Sequence, residues 1–234
     1  MRLYQLGSAH YALQNIERKR LKVSRIDDLN DPFELLGAMQ RDKDWRRIFR
    51  QAKTRIHNRD GVLCFSRSWR NPVLWSHYGD KHRGICLGFD VASEVTMPVT
   101  YVANLLRLKL DKSQLHEPFS SQVANQLLTT KFKDWAYEEE VRIRTSLAKA
   151  ERDGDLYFYA FAPNLLLREV ILGPRCGVAI DAVRSLVKPL NPHVHVLKAR
   201  LAFQKYGVVE DRRYRPGVRL ATKTASDRTP SMGI

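Results

Sequence analysis

Two apolar runs, residues 61–66 (GVLCFS) and 84–90 (GICLGFD), enclose a short segment that opens on Asn71-Pro72, and this arrangement constrains the fold more than any other part of the chain. Runs of this length and composition read as buried strands. Asn71 is a good N-cap and Pro72 suits the first helical position, so the spacing predicts a short helix held between the two strands. Gly88, inside the second run, marks a site of close approach by another group.

The remaining chain is read around this unit. Leu3 and Tyr4 open a strand, a helix with Tyr11 and Ile16 on one side follows, and Leu21 and Val23 begin a second extended piece. Residues 27–34 (DDLNDPFE) form a loop, because Asn and Asp make local side-chain turns and Pro32 biases Asp31 away from helix. From 42 to 57 the apolar positions Trp45, Ile48, Phe49, Ala52 and Ile56 have helical spacing, while Arg46, Arg47, Arg50, Lys53 and Arg55 fall elsewhere on the wheel. This is a basic amphipathic helix, whose cationic face is either simply solvated or set to meet phosphate. Downstream the pattern predicts an extended piece over 99–110, a helix over 119–132 and strands over 135–145, 156–161 and 168–172. Ala179, Val183, Leu186 and Val187 then suit a helix face, and 193–201 returns to strand. Strands and helices do not alternate regularly, so the reading is a mixed α+β domain over 1–213 followed by a flexible basic tail over 214–234.

Charge and motif content narrow the function. Forty Lys and Arg against 25 Asp and Glu give a formal charge of +15, which favours a nucleotide, nucleic acid or another phosphate-bearing partner. No apolar stretch approaches the roughly 20 residues of a membrane span. The start of the chain lacks the pattern of a signal peptide, so a soluble, cytoplasmic protein with no membrane partner is expected. Cys64, Cys86 and Cys176 are widely spaced, which argues for reduced thiols. The phosphate loop, the dinucleotide-binding glycine pattern, the serine-hydrolase elbow and the zinc-protease helix are all missing. His193 and His195 share a side of a presumed strand but have no evident third ligand, so no metal is expected.

Three clusters carry chemistry. In residues 30–34 (NDPFE) two carboxylates and an amide are fixed by proline beside Phe33; a plain turn would need the polar residues but not Phe33 and Glu34 together. In 75–78 (WSHY) Trp75 and Tyr78 are three apart on a short helix and His77 lies on another side, which supplies stacking surface, donors and a group titrating near neutrality. In 135–144 (WAYEEEVRIR), read as a strand, Glu138, Glu140, Arg142 and Arg144 share one face. Such a face can hold an ionised and a protonated carboxyl side by side, although a solvated charged strand has the same pattern.

The order of the LYQ start, NDPFE, WSHY, YEEEVR and a late REVILG, spanning about residues 3–201, resembles the bacterial family called domain of unknown function 2971. The opening, with Tyr4 on a strand, a helix and then residues 21–24, is also similar to ADP-ribosyltransferase-fold proteins, among them bacterial toxins and RNA 2′-phosphotransferases. That resemblance implies a mostly antiparallel, split sheet flanked by helices with NAD in the cleft. It places Tyr4 where the family has His or Arg, Tyr78 or His77 at the middle position, and Glu140 or Glu138 on the late strand as the catalytic carboxylate. Asn30 would then belong to the binding cleft, Trp75 or Tyr78 would stack the nicotinamide and Arg142 would pair with pyrophosphate. The expected activity is NAD-dependent ADP-ribosyl transfer or NAD hydrolysis, as in a toxin or phage-defence effector. The other readings are a non-catalytic nucleic-acid-binding module that uses the basic helix and tail, and a metal-dependent nuclease that uses Asp31, Glu34, Glu138 and Glu140.

Overall fold

The computed structural model describes residues 1–40, 42–108 and 120–216. The tail expected from 214 onward lies almost wholly outside them, as do the end of the extended piece predicted over 99–110 and Phe119 of the predicted helix. In chain order the elements are β1 (Arg2–Gly7), α1 (Ala9–Arg18), β2 (Arg20–Arg25), α2 (Lys43–Arg59), β3 (Asp60–Ser66), α3 (Pro72–His77) and β4 (Ile85–Val91). They continue as β5 (Met97–Pro98), β6 (Thr100–Val102), α4 (Ser121–Leu128), β7 (Thr130–Phe132), β8 (Glu140–Ser146), β9 (Glu151–Asp153) and β10 (Leu156–Ala160). The last are β11 (Leu165–Leu172), α5 (Ile180–Val187), β12 (His195–Leu201) and β13 (Val208–Glu210).

Local chemistry sets these boundaries. Ser8 caps α1 by accepting from the Tyr11 amide, and Lys19 closes it in the left-handed conformation at φ 50°. Asp42 caps α2 through the amides of Asp44 and Trp45, both at 3.0 Å, and the helix buries Ile48, Phe49, Ala52 and Ile56 as the spacing predicts. Asn71 accepts from the Val73 amide at 2.9 Å at the start of α3, and its side-chain NH2 donates to the Tyr137 carbonyl at 3.1 Å. It therefore both starts the helix and ties it to the segment before β8. Asn71→Ala is expected to cost about 1–2 kcal/mol, read as a lower urea midpoint; a change within a few tenths of a kcal/mol would mean that the cap does not set this helix.

Eleven strands form one sheet, ordered β13-β12-β11-β4-β1-β3-β2-β10-β9, with β8 on β3 and β5 on β8; β6 and β7 form a separate pair. Among the described residues of the large sheet only β11 and β12 run parallel, so the fold is α+β with a mostly antiparallel sheet. The core follows the two-residue period of the strands. Ile85, Leu87 and Phe89 of β4 join Val141 and Ile143 of β8 in a cluster closed by Ile16 of α1 and by Val183 and Val187 of α5. Val62 packs instead with Phe49 and Ile56 of α2 and Leu127 and Leu128 of α4. Cys86 meets Trp69, Trp75, Ile171 and Leu197.

The sheet is forked at β3. One edge of β3 pairs with β8 along its whole length, from Asp60↔Ser146 to Ser66↔Glu140. The opposite edge is shared: β1 reaches only Ser66, through Tyr4, and β2 reaches only Gly61 and Val62. Among the described residues Leu63, Cys64 and Phe65 thus have no strand neighbour on that edge, and a cleft opens where β1 and β2 diverge. Gly88 allows Tyr4 to sit low in this fork, since a Cβ at Gly88 would lie 3.0 Å from the Tyr4 ring and from Glu169 Cβ.

Candidate active site

A cleft of about 270 Å³ occupies the fork. Tyr4, Ser66 and Glu140 stand in register across β1, β3 and β8, and all three line it. Asn30, Glu34, Tyr78, Lys131, Glu138 and Arg142 stand in its polar wall, together with Gln5, Ser24 and Asp28. Two of the three sequence clusters therefore contribute several residues to one cleft, and the WSHY cluster contributes Tyr78.

The carboxylates arrive by different routes. Glu140 and Arg142 project from one face of β8, as the alternation predicts, while Val141 and Ile143 enter the core. The strand predicted to start at Trp135 is instead a 3-10 helix from Lys133 to Glu138, and Glu139 adopts the left-handed region at φ 46°. That turn, not strand alternation, returns Glu138 to the side of Glu140. Glu34 comes from the NDPFE loop, where Asp31 accepts from the Phe33 amide at 2.9 Å and so fixes the turn.

These groups form one buried network. Arg142 spends all five N–H donors: Nε and one Nη on Glu140 at 2.8 and 3.1 Å, both Nη on Glu34, and Nη1 again on the Leu128 carbonyl at 2.7 Å. Lys131 Nζ donates to Glu138 at 2.6 Å and to Glu140 at 3.0 Å. Tyr78 donates its hydroxyl to the other Glu138 oxygen and accepts from Asn30 Nδ2 at 2.8 Å. Tyr101, facing Lys131 across β6 and β7, accepts from the Glu140 amide at 2.8 Å.

Burial opposes the charged form of Glu140, but Arg142 and Lys131 outweigh it and hold the carboxyl at about 2, against an ordinary 4.5. For Glu138 burial prevails over Lys131 and Tyr78, and its pKa is raised. Burial and the bond to Glu138 push the Tyr78 phenol up, and burial with Glu169 nearby pushes Tyr4 to about 12. With Glu138 protonated, two other carboxylates balance two cations; with Glu138 ionised the site carries one net negative charge.

This predicts opposite pH signatures. A depressed pKa gives Glu140 a stabilising contribution of about 3 kcal/mol above its unfolded value, lost as pH falls from about 4.5 towards 2. Glu138, raised, contributes below its unfolded value and loses that contribution as pH rises through its folded one. The gap in unfolding free energy between the native protein and Glu140→Gln should therefore narrow between about pH 5 and pH 3. A gap that stays constant over that range would mean that Glu140 is not held ionised by the fold.

Four expectations need correction. Trp75 does not line the cleft: its ring is fully enclosed, its Nε1 donates to the Trp69 carbonyl at 2.6 Å, and Gly79 and Gly173 pack so close that a Cβ would lie 2.6 and 2.8 Å from it. His77 is exposed and stacks on Tyr137, with ring centroids 6.0 Å apart, outside the cleft lining. Arg142 has no donor left for a pyrophosphate. A four-carboxylate metal site does not assemble, since Glu34 gives both oxygens to Arg142 and Asp31 turns to its own loop; among the described residues no three His, Cys, Asp or Glu side chains are grouped to hold a metal ion.

Sequence reasoning missed Lys131, Ser66 and Cys64, the last of which also lines the cleft and hydrogen-bonds Glu140. Lys131 had no local signal, because its partners lie 7 and 9 residues away around a turn whose geometry the sequence does not announce. Compared with family models, curated proteins and solved structures, the chain finds no match. Among the described residues no helix is long and apolar enough to cross a membrane.

Proposed function

We propose that the chain is an ADP-ribosyltransferase-like enzyme that cleaves the bond between nicotinamide and ribose in NAD, passing the ADP-ribosyl group to water or to a macromolecular acceptor. The observation that carries this reading is the convergence, in one forked cleft, of Glu140, held by Arg142 and Lys131, and Glu138, held by Lys131 and Tyr78, so that three carboxylates with Glu34 face two cations. Such a cleft suits a substrate that is itself cationic, because a positive ring draws Glu138 into its ionised state and completes the charge balance. The resemblance to the ADP-ribosyltransferase opening and the row Tyr4, Ser66, Glu140 support the same reading.

The chemistry follows from charge. As the C1′–N bond breaks, its electron pair goes to the pyridinium nitrogen, which leaves as neutral nicotinamide, and positive charge develops on the ribose. Ionised Glu140, one oxygen of which accepts from Arg142 Nε, orients a ribose hydroxyl and stabilises that charge. Glu138 takes the proton of the acceptor hydroxyl as the new bond to C1′ forms. Tyr78, kept protonated, already donates to Glu138 and holds that carboxyl in place beside Glu140. The test is release of nicotinamide from NAD by the purified protein, or transfer of labelled ADP-ribose to protein or nucleic acid; NAD that is neither bound nor consumed would overturn the reading.

A second reading rests on α2, which exposes Lys43, Arg46, Arg47, Arg50 and Arg55. A nucleic-acid-binding module using this face would show affinity that falls steeply with salt, and affinity independent of salt would remove it.

A further inference from the structure

Tyr4 lines a second cavity as well. This neighbouring space, of about 310 Å³, is bounded by Arg67, Trp69, Arg70, Glu169, His195 and Glu210, with Tyr4 as the wall it shares with the cleft. Its charges are unevenly satisfied. Glu169 is paired with Arg2 at 2.9 Å, and Glu210 is held by both arms of Arg215, at 2.6 and 2.8 Å. Arg67 and Arg70 are exposed and, among the described residues, have no carboxylate partner. Glu210 is thus covered by its own arginine, Glu169 is paired through Oε1 alone while its buried Oε2 has no hydrogen-bond partner, and the cavity keeps two guanidiniums without a carboxylate partner on one wall.

That wall is built, not loose. Ser66 Oγ donates to the Ser68 carbonyl at 2.9 Å and accepts from the Ser68 amide at 3.2 Å, which folds the chain back immediately after β3. Ser68 Oγ accepts from the Arg70 amide at 3.2 Å, and the Arg70 carbonyl accepts from the Val208 amide at 2.8 Å. Arg70 lies over the buried Trp69 ring at 4.6 Å, and the Arg67 amide donates to the Glu139 carbonyl at 3.1 Å. The last bond ties the arginine turn to the residue between Glu138 and Glu140.

We infer that Arg67 and Arg70 form the anion subsite of the cleft and receive the phosphates of a nucleotide whose sugar lies against Tyr4 and the Glu138–Glu140 wall. Guanidiniums offer paired donors to phosphate oxygens, and here they are held beside the cleft while Arg142, the cation inside it, is fully spent. The inference deepens the proposed function and rests on it for the position of the sugar. It names the substrate class as a nucleotide, as opposed to a phosphate-free nucleoside.

Two measurements test it. First, ADP and inorganic pyrophosphate are titrated into the native protein by calorimetry, into the pair Arg67→Ala/Arg70→Ala, and into Arg46→Ala/Arg50→Ala, which removes the same charge from α2. The expected result is a loss of about 10- to 100-fold in affinity for the first pair and little change for the second. Equal losses in both pairs, or no binding by the native protein, would overturn the subsite. Second, with nicotinamide riboside and NAD as alternative substrates, the Arg67/Arg70 pair should raise KM for NAD by a similar factor and leave turnover of the riboside unaltered. A shift of equal size for both substrates would overturn it too. Failure of the glycosidic reading appears separately: neither substrate would be cleaved, while pyrophosphate would still bind through Arg67 and Arg70.

Discussion

Arg142→Met is expected to destabilise the protein by about 3–5 kcal/mol, a large part of the total stability of an ordinary domain. The side chain is only 1% exposed, Glu34 2% and Glu140 6%, so water does not replace what is lost. Methionine fills much of the volume but offers no donor. Glu34 would be left buried without a cation, Glu140 would depend on Lys131 alone, and the Leu128 carbonyl would lose its side-chain donor. The paired variant Glu34→Met/Arg142→Met should be less destabilised than the sum of the two single changes, because it removes charge and countercharge together. Urea unfolding of the four proteins measures this directly. A single-site loss under about 1 kcal/mol would place the network in the solvated class of surface ion pairs.

The same network shows how far the sequence could be read. The β3–α3–β4 unit is legible because its signals are local: an Asn-Pro start and two short apolar runs. The face shared by Glu140, Arg142 and Arg144 is legible because alternation within a strand is local too. What stays hidden is tertiary. Glu138 joins the site only because Glu139 takes a left-handed turn, a conformation that a glutamate does not advertise. Trp75 looks like a stacking platform until two glycines, one of them almost a hundred residues away, close over its ring. Arg142 reads as a phosphate ligand until Glu34, 108 residues upstream, claims it. Each error assigns to a ligand a group that the fold itself consumes, and side-chain type alone does not separate those two fates.

Glu140→Gln should lower the rate of nicotinamide release from NAD by about 10²- to 10³-fold, with KM changed far less. The amide has the same shape and can still accept from Arg142 Nε, so the loss measures charge: a neutral group does not stabilise the positive ribose as the bond breaks. The substitution also weakens the fold, because Lys131 and Arg142 lose a countercharge. The assay therefore belongs well below the unfolding temperature of the variant, with circular dichroism recorded on the same sample. Glu138→Gln separates the two carboxylates further. Its rate should fall too, and the remaining activity should lose the acidic limb of its pH profile, since the group that must be ionised to take the acceptor proton is gone. If a folded Glu140→Gln protein retains turnover within about threefold of the native protein, Glu140 belongs to the scaffold alone, and the chemistry proposed for the cleft loses its carboxylate.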